Sequence, residues 1–353
     1  MRVRYTIKRN ACGVIHWDTK TSTKHAWKIS QTSVAYTIAV RCRHSGCHRY
    51  SEGFIRFSLR ILKQSCPWEQ TVLLCYRPGQ KEKEMLQLLD SFFASIACPM
   101  EQPPAYGTFH ILFTLTGFAV CVFTAWKLRH VTDKAAGRIL FFCGLLLSLS
   151  EVFKQFFCYY VIADNTYHWG EFPFQLCSIP MYMCLFAPSL KPGKLQRAMY
   201  SFMVLYNLLG GAISFAEPSG LLHGYWFLTI HSCMWHMLLV FIGLFLCFSK
   251  RGGNQKTDYR SATWVFIALC GIAFGLNCFV QLGLGKEMNM FFVGPGDSPI
   301  IVFKQFSQWF GWYINTPIYM AAVCFGAYIV FLLIQWIQNK KEPIAKMKAV
   351  TRS

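Results

Sequence analysis

Residues 139–162 read "ILFFCGLLLSLSEVFKQFFCYYVI", an apolar run broken chiefly by Glu151, Lys154 and Gln155. As a helix this run rises ~36 Å at ~1.5 Å per residue, enough to cross the ~30 Å hydrocarbon core of a bilayer. Ionisable side chains inside such a run are costly in lipid, so they must face protein or water. The stretch therefore predicts a membrane helix and marks the depth at which polar partners should gather.

Six further apolar runs lie around it, giving seven candidate helices at roughly 108–126, 139–162, 172–190, 198–216, 223–249, 262–284 and 312–338. The connections are short except for "GKEMNMFFVGPGDSPIIVFKQF", an apolar loop with a Gly-Pro-Gly turn signal that is expected to be re-entrant or interfacial. The fold class that follows is all-α, a polytopic bundle of about seven transmembrane helices. Residues 107–338 form this domain, after a short segment 85–106 and before a basic tail 339–353. Composition agrees, with 54% hydrophobic and only 14% charged residues. The mean hydropathy is +0.31.

A formal charge of +19 in a soluble chain would point to nucleic acid. Here the basic residues cluster between apolar runs, as in cytoplasmic loops, and no nucleic-acid partner is expected. Lys127, Arg129, Lys134 and Arg138 follow the first helix, and Lys191, Lys194 and Arg197 the third. Lys250, Arg251, Lys256 and Arg260 follow the fifth, and Lys340, Lys341, Lys346 and Lys348 the seventh. The loops "ADNTYHWGE" and "EPSGLLHG" after the second and fourth have neither Lys nor Arg. The expected arrangement is a multi-pass protein of the plasma membrane with its C-terminus in the cytoplasm.

Residues 1–84 differ in kind: no run there is long enough to span, and sixteen Lys/Arg oppose five Asp/Glu. "KEKE" stands directly before Met85, and its codons contain only purines, as a bacterial ribosome-binding site does. The segment thus reads as a mis-annotated start in a bacterial chain whose true start is Met85, or as a basic disordered tail. Of sixteen cysteines, eleven lie at or after Cys98, scattered singly as small hydrophobes with no disulfide framework. "CRHSGCH" at 42–48 lacks the second half of a zinc site. No metal and no cofactor is expected.

Distances along the chain from each basic cluster act as a depth ruler. Cys177 is 14 residues from Lys191, and His236 is 14 from Lys250. Both stand ~21 Å above the basic boundary if their helices are straight. Glu151 and Lys154 lie 13 and 16 residues from Arg138, Gln175 lies 16 from Lys191, and His110 lies 17 from Lys127. Asn207 sits lower and Asn277 higher. Each has a duller reading alone: Glu151 and Lys154 as a self-neutralising pair, His236 as a packing donor, Cys177 as filler. Together they form one polar layer. A thiol within reach of an imidazole is the minimum for acyl transfer through a thioester. Gln175 is a candidate oxyanion donor, and Lys154 a candidate stabiliser of the thiolate.

"YGTFH", "SEVFKQ", "PFQLCSI" and "WHMLLVFIGLF" resemble the YwaF-like integral membrane family, which includes the animal transmembrane protein 164; the likeness spans roughly residues 85–340. The resemblance implies about seven helices and a cysteine-dependent acyltransferase acting on phospholipid or another acyl lipid. Carried over, it makes Cys177 the nucleophile and His236 its partner. Many relatives have His where this chain has Gln175. The competing readings are a small-solute permease using the same polar layer and a seven-helix sensor.

Overall fold

The computed structural model describes residues 80–296, 298 and 300–350. Before Gln80 it describes only short strand segments at Ile7–Arg9, Ile15–Trp17, Tyr36–Arg41, Phe57–Leu59 and Thr71–Leu73. Both readings of residues 1–84, and the motif at 42–48, lie outside the described residues, save that a first helix, α1 (Gln80–Ile96), spans Met85. Phe92–Ser353 form one compact unit, which carries every candidate site residue.

In chain order the helices of this unit are α2 (Thr108–Lys127), α3 (Asp133–Ile162), α4 (Ile179–Phe186), α5 (Lys194–Ala216), α6 (Trp226–Phe248), α7 (Lys256–Gly283), α8 (Ile301–Phe310) and α9 (Trp312–Val350). Six of them, α2, α3, α5, α6, α7 and α9, are long and apolar enough to cross a membrane. The protein is an all-α membrane bundle, with α4 as a short seventh member. The most apolar stretches of α5 and α6 are 61% and 56% buried, against 11% for α2, so α5 and α6 form the centre and α2 the rim. Leu205, Tyr206, Leu239, Ile242 and Phe266 make the middle of the core. Gly144 of α3 lets α4 come close: a Cβ there would stand 2.9 Å from the backbone nitrogen of Leu185.

The expected helix at 172–190 is only half helix. Helical structure begins at Ile179 and ends in a 3₁₀ turn at Ala187–Ser189, while residues 172–178 are irregular. The cause is Pro180. Its ring would collide with the carbonyl four residues back, so it is tolerated only in the first turn of a helix. The depth ruler therefore holds for His236 on α6 but not for Cys177 or Gln175.

The long apolar loop turns back into the bundle, in line with the re-entrant expectation. Met288, Met290, Phe291 and Val293 are at most 3% exposed. Asn277 of α7 holds the loop through Nδ2 to the Met290 carbonyl (2.9 Å) and to the Val293 carbonyl, while the Met290 N–H donates to its Oδ1 (2.7 Å). Phe291 and Phe292 take left-handed backbone angles, φ 54° and 55°.

The charge alternation read from the sequence corresponds to two physical ends. At the basic end, Arg197 forks onto Asp258 (2.6 and 2.9 Å), which also accepts from the N–H groups of Asn254 (2.8 Å) and Gln255 (3.0 Å). Arg251 joins the same end to the α2–α3 connection through the Val131 carbonyl (2.8 Å) and Asp133 (2.9 Å). At the other end, Met100 and Trp226 pair the segment before α2 with the α5–α6 loop, and Tyr106 Oη donates to the Ala216 carbonyl (2.7 Å).

Candidate functional site

The irregular stretch 172–178 is tied on every side. Just before it, the Glu171 carboxylate lies 3.1 Å from Lys154 Nζ, and the Glu171 carbonyl accepts from Gln155 Nε2 (2.5 Å), both on α3. Tyr182 Oη donates to the Pro173 carbonyl (2.8 Å) from α4. Gln175 Nε2 donates to the Asn289 carbonyl (3.0 Å), and its Oε1 accepts from the Phe291 N–H (2.9 Å), joining the stretch to the re-entrant loop. The Cys177 carbonyl accepts from Trp235 Nε1 (3.1 Å) of α6. Three elements thus hold seven residues that lack a helix of their own, and α3 holds the residue just before them.

Lys154 bridges Glu151 (3.1 Å) and Glu171, and Gln155 Nε2 also donates to Glu151 (2.6 Å). Glu151 is 5% exposed, a setting in which a carboxylate needs both a cation and a hydrogen-bond donor, and it has them. Two carboxylates share one ammonium, so the cluster has a net charge of −1.

His236 Nδ1 faces the Ser232 carbonyl at 2.8 Å on its own helix. A carbonyl only accepts, so Nδ1 carries the proton and Nε2 presents a lone pair. No described hydrogen bond joins His236 to Cys177; the α6 residue that touches Cys177 is its predecessor, Trp235. His231 lies one turn earlier, its Nδ1 2.7 Å from Ser150 Oγ and its ring 5.5 Å from that of Trp235.

The remaining members of the predicted layer have separate partners. Both polar atoms of the Gln175 amide hydrogen-bond to the loop, Nε2 through one of its two N–H groups, so the side chain ties the stretch to the loop. Asn207, in the π-helical turn Met203–Asn207 of α5, donates to the Met203 (3.3 Å) and Leu239 (2.9 Å) carbonyls. His110 accepts from the Tyr106 N–H at Nδ1 (3.2 Å) and stacks on Phe215. Among the described residues, His110 Nε2 and Asn207 Oδ1 are buried without a hydrogen-bond partner. The layer resolves into a charged pair, Glu151 and Lys154, that reaches Glu171, and into Gln175, Cys177, His236, Asn207 and His110, each with its own contacts.

Sequence reading gives no role to Ser150, Gln155, Glu171 or Trp235, and sets His231, five residues from His236, on a different face and nearer the surface. The signals were present: Ser150 and Gln155 flank the charged pair inside "SEVFKQ", and His231 and Trp235 stand at helical i,i+4 spacing. These ties draw together "SEVFKQ", "PFQLCSI" and "WHM", segments far apart in the chain. A family model described as the TMEM164 family matches residues 105–337. The chain belongs to the TMEM164 family. No curated protein and no solved structure matches it. The matched region of this TMEM164-family chain opens just before α2 and closes within α9, so it includes all of these ties.

Proposed function

We propose that this integral membrane protein transfers acyl groups between lipids, or from lipid to water, through a thioester on Cys177 with His236 as the base. The observation that carries the reading is the Trp235–Cys177 hydrogen bond (3.1 Å), which sets the Cys177 backbone against the turn of α6 that bears His236. One further feature supports it. The Nδ1-protonated tautomer of His236 leaves Nε2 free to take a proton.

In this mechanism the Cys177 S–H bond breaks and its proton passes to His236 Nε2. The sulfur attacks the ester carbonyl of a phospholipid or other acyl lipid. The carbon–oxygen bond to the lysolipid breaks, and the imidazolium returns the proton to that oxygen, leaving a thioester. A second hydroxyl, from a lysolipid or water, gives its proton to His236 and attacks the thioester, restoring the thiol. No redox step is involved. The site faces the outer leaflet if the basic end is cytoplasmic, as the positive-inside rule places it.

The test is labelling of the protein in lipid nanodiscs with an alkyne-tagged fatty-acyl phosphatidylcholine or phosphatidylethanolamine. Hydroxylamine-sensitive label on the wild type is expected, with complete loss in Cys177→Ala and a loss of at least ~100-fold in His236→Ala. Wild type that takes no label from either donor rejects the enzyme reading and shifts weight to a permease.

A further inference from the structure

Building on the reading of Cys177 as nucleophile, we infer that Trp235 is a positioning residue that fixes the nucleophile through the Cys177 carbonyl. In a continuous helix that carbonyl would accept from the backbone three or four residues on. Here the residue three on is Pro180, which has no N–H, and the N–H of Met181 goes to the Ser178 carbonyl (3.2 Å). Pro180, in the first turn of α4, thus leaves the Cys177 carbonyl without a backbone donor from the turn that follows it. Trp235 Nε1 supplies one at 3.1 Å. The need is mutual, because a buried indole N–H also requires a partner, and Trp235 is 6% exposed.

Trp235 is itself braced. Its ring lies 5.5 Å from that of His231, whose Nδ1 is 2.7 Å from Ser150 Oγ on α3. A line of contacts, Ser150–His231–Trp235–Cys177, therefore runs from α3 across α6 to the reactive stretch. Trp235 and His236 are adjacent on a rigid helix, so one turn of α6 sets the nucleophile's backbone and carries the base. Misplacing a reacting atom by ~1 Å costs up to ~100-fold in rate, so a single hydrogen bond here has kinetic weight.

The experiment uses the full chain in nanodiscs and the variant Trp235→Phe, which removes the N–H and keeps most of the ring. The expected result is a fall of about 10- to 100-fold in kcat for label transfer with KM for the donor lipid unchanged. The second readout does not depend on activity. Iodoacetamide alkylation, quantified peptide by peptide, compares Cys177 with exposed Cys98 and with Cys184, which is 0% exposed. Freed from its tie, Cys177 is expected to alkylate at least ~5-fold faster relative to Cys98 while Cys184 stays protected. An unchanged Cys177-to-Cys98 ratio overturns the inference. Cys184 reacting in step with Cys177 also overturns it, because Trp235 is then ordinary packing whose loss loosens the whole bundle. Wild type without acyl label defeats the enzyme reading alone; the alkylation ratio still decides whether Trp235 holds residue 177.

Discussion

Glu151 and Asp258 are both buried carboxylates, at 5% and 2% exposure, and the bundle accommodates them differently. Asp258, at the basic end, meets one guanidinium in a two-pronged contact and two backbone N–H groups. Charge is balanced and both oxygens have donors, so the arrangement joins α5 to α7 and has nothing left over. Glu151, toward the other end, shares Lys154 with Glu171. One cluster is balanced; the other sets two carboxylates against one ammonium next to the stretch that carries Cys177. The difference separates a charge-balanced lock from one with a carboxylate in excess.

The sharpest way to break this comparison is Lys154→Met. It strands two carboxylates, one of them buried, and is expected to cost about 3–5 kcal/mol of stability and to abolish acyl labelling. Thermal unfolding in nanodiscs alongside the labelling assay reads both. Asp258→Asn keeps one acceptor oxygen, turns the other into a donor that faces donors and loses the charge, with an expected cost of about 1.5–3 kcal/mol. Labelling per folded molecule should be unaffected, and an equal loss of label would erase the contrast. Gln175→Leu removes both bonds between the Cys177 stretch and the loop, for about 1–2 kcal/mol. Hydrogen exchange should speed up across residues 286–296 and stay slow in α6.

The smallest effect is a pH dependence. Burial lowers the His223 pKa, against opposing pulls from the Gly220 backbone and Glu171. The folded state therefore resists protonation that the unfolded chain accepts near its ordinary ~6.5, and stability is lost as pH falls below that value. The unfolding midpoint should drop between about pH 7.5 and about pH 5.5, and less so in His223→Gln.

The six long helices were legible because a membrane demands an unbroken apolar run, and such runs are visible without partners. The predicted helix at 172–190 misjudged one residue: hydropathy averages over Pro180, while sterics does not. The depth ruler set Glu151, Lys154 and His110 near one level, with Asn207 lower, but depth is a single coordinate. Direction around the bundle decides which side chains meet, and spacing along separate helices does not encode it. Trp235 escaped because an indole in a helix reads as core, and its partner is a backbone carbonyl, an acceptor that every residue has. The Gln175 tie was hidden for the same reason, since both its partners are main-chain atoms of a loop.

The left-handed pair Phe291–Phe292 has a mechanical consequence. For residues with a Cβ this geometry costs ~1–2 kcal/mol each, so the loop is under tension when seated. Its seat is held by Asn277 from one side and Gln175 from the other, with the Phe291 ring packed against Phe174 and Phe266. Two of these holdfasts, Gln175 and Phe174, belong to the Cys177 stretch. Letting go on that side gives the loop a downhill path to a relaxed backbone, so the seating of the loop and the order of the Cys177 stretch are mechanically linked.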